Sequence, residues 1–78
     1  MVINVELRIR EIREDRDISQ KEIAQRFMCD QSLYSKYELG KRDIPLRLMI
    51  ELAKYYGVSI DYLVGLTDIP DPYPKNKA

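Results

Sequence analysis

Gln31, Ser32, Ser35 and Lys36 stand at spacings that a helix would gather onto one side. At about 100° per residue, with Gln31 at zero, Ser35, Leu39, Ser32 and Lys36 fall at roughly 40°, 80°, 100° and 140°. Leu33, Tyr37, Tyr34 and Glu38 take the other side, at roughly 200°, 240°, 300° and 340°. The polar side suits the edges of nucleic-acid bases. A glutamine amide meets adenine through two hydrogen bonds, a lysine reaches guanine O6 and N7, and serine serves several bases. A face of Gln, Ser, Ser and Lys with no outward acid also tolerates a wall of phosphates. The same wheel describes a solvated helix face.

Other chemistry lacks its residues. The 78-residue chain has no histidine, which removes the commonest general base and the commonest zinc ligand. Its one cysteine, Cys29, excludes an internal disulfide and a cysteine-based structural zinc site, and fits a reducing cytosol. No phosphate-cradling glycine loop, Ser/Lys or Cys/His pair, or catalytic carboxylate pair stands out. An enzyme, a cofactor, a metal and a small-molecule site are therefore not expected. No signal peptide is visible, and no apolar run nears the ~20 residues of a membrane span. Cys29 reads as a small buried residue, and the tyrosines at helical spacing read as core or rim rather than base-stacking platforms.

Thirteen basic and thirteen acidic side chains cancel, so nucleic acid would have to be held by a local patch. The middle of the chain supplies one. Residues 18–47 carry Lys21, Arg26, Lys36, Lys41, Arg42 and Arg47 against Glu22, Asp30, Glu38 and Asp43, whereas both flanks are net negative.

The elements that would position this patch are helices. Val5, Ile9 and Ile12 form an apolar stripe that predicts a first helix over 5–16. Ser19 and Glu22 have capping-box spacing, with Ile18 and Ile23 placed as a hydrophobic staple, so a second helix runs to Phe27. Asp30 is an N-cap for a third helix over 31–39, closed by Gly40. Pro45 suits the first turn of a fourth helix with Leu46, Met49, Ile50, Ala53 and Tyr56 inward, and Gly57 stops it. Cap and staple recur from Val58 to Leu63 for a short fifth helix ending at Gly65. Residues 1–68 then form one all-α domain, a compact five-helix bundle. The Pro-rich stretch 69–78 is expected to be an extended or disordered tail. Only Met28, Cys29 and Asp30 would join helices two and three, the geometry of a helix-turn-helix.

Residues 18–42, ISQKEIAQRFMCDQSLYSKYELGKR, resemble the helix-turn-helix of the lambda-repressor/Cro-like (XRE) family, and 52–63 resemble that family's closing helices. The resemblance covers about residues 5 to 68. It implies a dimeric DNA-binding domain of a bacterial or phage transcriptional regulator, acting as a repressor in the cytoplasm on two operator half-sites. It also implies that Gln31, Ser32, Ser35 and Lys36 read bases, and that Lys41, Arg42 and Arg47 hold the DNA backbone. Gln20 would contact a phosphate and brace Gln31, and Arg13 would pair with Glu38 between the first and third helices.

Three residues depart from the family pattern. Met28 occupies a position where glycine is common, so its backbone is expected to be strained. Asp30 replaces the usual Ser or Thr cap and brings a negative charge near phosphates. Leu39 replaces a polar or basic residue. Asp30, Leu39 and the zero net charge suit the alternative function, a protein–protein module such as an antirepressor or antitoxin-like partner whose DNA face is unused. The Gln20, Gln31 and Lys36 set with Lys41-Arg42 suits DNA.

Overall fold

In the computed structural model, which describes residues 7–72, the chain forms five helices. They are α1 (Ile9–Asp15), α2 (Gln20–Arg26), α3 (Gln31–Glu38), α4 (Leu46–Tyr56) and α5 (Ile60–Leu63). No strand occurs among the described residues. Every helix gives side chains to one core. Ile9, Ile23, Leu52 and Leu63 are fully enclosed there around the buried ring of Tyr34. No helix among the described residues is long and apolar enough to cross a membrane.

The starts of α2, α3 and α5 follow their caps. Ser19 Oγ accepts from Glu22 N at 3.0 Å while Glu22 Oε1 accepts from Ser19 N at 3.3 Å, completing the capping box. Asp30 Oδ2 accepts from Leu33 N at 3.1 Å, and Ser59 Oγ accepts from Tyr62 N at 3.0 Å. Each bond satisfies an amide that a helix N-terminus leaves without a partner.

The helix ends share one device. A residue in left-handed geometry follows each helix, at Asp17, Met28, Gly40, Gly57 and Gly65. The next amide reaches back five residues, as in Ile18 N to Arg13 O at 3.1 Å and Cys29 N to Ala24 O at 2.8 Å. The same bond runs from Lys41 to Lys36, Val58 to Ala53 and Leu66 to Asp61. This is the Schellman arrangement, which turns the chain sharply and satisfies end carbonyls. It lets five short helices follow one another through tight links. Met28, at φ +54°, carries the strain expected of a side chain at such a position.

Several boundaries depart from the sequence-based expectation. α1 starts at Ile9, because Arg8 N donates instead to Leu63 O on α5 at 2.8 Å; Val5 lies outside the described residues. α2 stops at Arg26, so four residues link it to α3. α3 ends at Glu38, with Leu39 as its C-cap. Pro45 is the N-cap of α4 in extended geometry, not part of its first turn, and its carbonyl accepts the first helical bond from Met49. Leu46 is 68% exposed, Ile50 is half-buried and Leu52 is fully enclosed. The core side of α4 is thus Met49, Leu52, Ala53 and Tyr56.

Beyond α5, the chain folds back on the domain. Ser59 N donates to Pro70 O at 3.1 Å, and Arg8 Nη2 meets Asp68 Oδ1 at 2.6 Å while its guanidinium lies 4.5 Å over the Tyr62 ring. Residues 73–78 of the expected tail lie outside the described residues.

Candidate nucleic-acid interface

The polar side of α3 opens onto solvent, and beside it lies an open cleft of about 640 Å³. Gln20, Gln31, Ser32, Ser35, Lys36 and Lys41 line the cleft with Asp30 and Leu39. Six of the eight side chains expected to meet DNA therefore share one concavity. Gln31, Ser32, Lys36 and Lys41 are exposed, while Ser35 and Gln20 are half-buried. Arg42 and Arg47 are exposed but stand outside the cleft, in the loop after α3 and on the first turn of α4.

Local structure sets each position. The cap at Asp30 presents Gln31 and Ser32 as the first residues of α3. The Gly40 turn brings Lys41 N within 2.9 Å of Lys36 O, so that Lys36 and Lys41 border the same cleft. Asp30 spends one carboxylate oxygen on its cap, which directs part of its charge toward the helix amides.

Behind the cleft lies a buried polar network. Arg13 Nε donates to Glu38 Oε2 at 2.7 Å and Arg13 Nη2 to Glu38 Oε1 at 3.1 Å. The third donor, Nη1, reaches Ile18 O at 2.7 Å. The Glu38 side chain is 1% exposed and that of Arg13 is 10% exposed. Burial pushes the Glu38 carboxyl up, but the hydrogen bonds from Arg13 and Gln20 and the guanidinium charge outweigh it, leaving Glu38 below the usual carboxylate range. The hydroxyls of Tyr34 and Tyr56 are buried without a hydrogen-bond partner among the described residues. Burial raises both above an ordinary phenol, Tyr56 to about 12.

One expected contact is different. Gln20 Nε2 donates to Glu38 Oε1 at 3.0 Å, so its amide braces the buried carboxylate instead of Gln31. The reason is electrostatic: a carboxylate is a stronger acceptor than a neutral amide oxygen. Leu39, which the helix wheel places between Ser35 and Ser32, lines the cleft as the one apolar side chain among its eight lining residues. The tyrosines are core or rim. Tyr34, Tyr37 and Tyr56 are buried, and Tyr55 meets Phe27 edge-on at 5.6 Å. Cys29 is half-buried, and burial raises its thiol above the usual value.

A helix pair joined by a tight turn, with a polar cleft beside the second helix, defines a helix-turn-helix protein. The family model described as Helix-turn-helix matches residues 9–63, and the chain belongs to that family. This agrees with the lambda-repressor/Cro-like resemblance of residues 18–42. It is 36% identical over 70 residues to an uncharacterized HTH-type transcriptional regulator, YobD, of Bacillus subtilis (strain 168). That match covers 90% of this chain and 62% of YobD. Over 58 residues it is 39% identical to the cryptic phage CTXphi transcriptional repressor RstR of Vibrio cholerae, covering 74% of the chain and 52% of RstR. It is 32% identical over 62 residues to the HTH-type transcriptional regulator ImmR of Bacillus subtilis (strain 168), covering 80% of the chain and 49% of ImmR. The matches thus span between about half and three-fifths of these relatives. No solved structure gives a significant match.

Proposed function

We propose that the chain is a transcriptional regulator that binds double-stranded DNA sequence-specifically and acts as a repressor. The observation that carries this reading is the cleft beside α3, where Gln31, Ser32, Ser35 and Lys36 share one exposed concavity with Gln20 and Lys41. Relatives whose names describe transcriptional regulators and a phage repressor support it. In this reading α3 enters the major groove and its first turns meet base edges. Gln20, Lys41, Arg42 and Arg47 hold phosphates, which fixes register rather than sequence. Residues 1–68 are the DNA-binding unit, 69–78 are a tail, and the protein works in the cytoplasm.

The protein binds as a homodimer on two half-sites about 34–36 Å apart. The surface proposed for pairing is Ile60 and Val64, half-buried on α5 and its cap, with exposed Leu66 beyond them. Selection of bound duplexes from a random pool, followed by titration at several salt concentrations, tests the whole reading. The expected result is a defined two-fold site, with log K falling against log salt at a slope of about −3 per protomer for Lys41, Arg42 and Arg47. Recovery of no preferred duplex, with no salt-dependent binding, would pass the function to a protein–protein module.

A further inference from the structure

Six large apolar side chains are exposed among the described residues: Met28, Leu39, Leu46, Tyr55, Leu66 and Ile69. A single exposed leucine on a surface is ordinary. Leu39 differs in its neighbours, because it is the one of the six that lines the cleft beside α3. It is 56% exposed and caps the C-terminal end of the helix. On the helix wheel it falls between Ser35 and Ser32, which line the same cleft with short polar side chains. Lys36 and Lys41 border the same concavity with donors suited to anionic surroundings.

We infer that Leu39 is a specificity-determining residue that packs against the C5 methyl of a thymine in the major groove. The inference rests on the DNA-reading function proposed above and names what one position of that surface recognises. The major groove offers an apolar feature only at thymine, whose methyl projects beside the O4 acceptor. Hydrogen-bonding groups at Gln31, Ser32, Ser35 and Lys36 leave that methyl without a partner; Leu39 provides one. An apolar side chain in this cleft favours a T·A pair by burying two surfaces that water otherwise covers.

The test uses duplexes obtained by selection, with each thymine replaced in turn by deoxyuridine, which removes only the methyl. Parent, Leu39→Ala and Leu39→Gln proteins are titrated on each, with helicity and melting recorded to show that the variants fold. At one thymine in each half-site, deoxyuridine should weaken the parent roughly three- to fivefold, the worth of one buried methyl. Both variants should bind thymine and deoxyuridine duplexes equally at that position. The inference is overturned if no thymine shows a methyl effect with the parent, or if the variants keep the same penalty. In either case the parent's selective, salt-dependent binding still stands. Loss of selective binding by the parent would instead overturn the DNA reading and this inference with it.

Discussion

The Arg13 guanidinium grips the Glu38 carboxylate through two hydrogen bonds of 2.7 and 3.1 Å, tying α1 to the last residue of α3. Both side chains are largely buried, and Arg13 also donates to Ile18 O in the link between α1 and α2. Such a pair fixes geometry more than it adds net stability, because burying both charges costs about what their attraction returns. Removing one partner is different, since the other is left charged and dry. Glu38→Ala should therefore lower stability by about 1–3 kcal/mol. Replacing both, as Arg13→Met with Glu38→Leu, should cost less than the single change. Chemical denaturation of the three variants checks this; a Glu38→Ala protein that melts like the parent contradicts it.

The same carboxylate sets an acid limit. Glu38 titrates below its ordinary value in the fold, so the folded state favours the ionised form. Its contribution is present in full above the unfolded glutamate value of about 4.3 and disappears as pH falls through the lower folded value. Stability measured from pH 6 downward should fall more steeply in the parent than in Glu38→Gln, which has no proton to gain. At the alkaline end the sign reverses. Burial raises Tyr56 to about 12, so stability should decline from about pH 10 toward 12 as the unfolded phenol ionises first. Tyr56→Phe should reduce that decline, leaving the part that buried Tyr34, raised by the same cause, contributes.

Met28 offers a gain. It is 94% exposed, so it packs little, yet it holds φ at +54° where a side chain crowds the backbone. Glycine at this position removes a strain of about 1–2 kcal/mol but adds freedom to the unfolded chain. Met28→Gly should stabilise by a net of about 0.5–1 kcal/mol, which raises Tm by several degrees. Met28→Ala removes the exposed apolar group but keeps a Cβ, so it should give no such gain. Equal melting of both variants would show that backbone strain is not the cause.

Local signals made much of this fold legible. Ser19, Asp30 and Ser59 each mark a helix start, and Gly57 ends α4, because capping depends on residues three or four apart. The Arg13–Glu38 pair followed from family resemblance. What stayed hidden depends on distant contacts. The start of α1 is decided by Leu63 O, and the core side of α4 is rotated roughly 45° from the sequence reading. Leu46 and Leu52 are equally apolar; only the packing of the other helices decides that Leu52 is enclosed. Likewise, the six cleft residues could be chosen by type, but the bond from the Gln20 amide to Glu38 joins residues 18 apart on two helices, which spacing does not resolve.

Under the proposed function, Lys36 and Arg42 should separate the reading of bases from the holding of phosphates. Lys36 lines the cleft from the last turn of α3, whereas Arg42 is exposed in the loop beyond Gly40 and outside the cleft. Removing a side chain that bonds a base typically costs about 1–3 kcal/mol and relaxes preference at one position; removing one that holds a phosphate weakens binding to all sequences alike. Lys36→Ala should thus flatten the preference at one base pair while leaving binding to random duplex nearly unchanged. Arg42→Ala should weaken selected and random duplexes together and reduce the salt slope by about one. Gln31→Ala should follow Lys36→Ala. It should not disturb Gln20, whose amide is held by Glu38. Titrations of the three variants on selected and random duplexes, each at several salt concentrations, distinguish these patterns. If Lys36→Ala and Arg42→Ala behave identically, α3 does not read bases, and the cleft beside it must serve a protein partner.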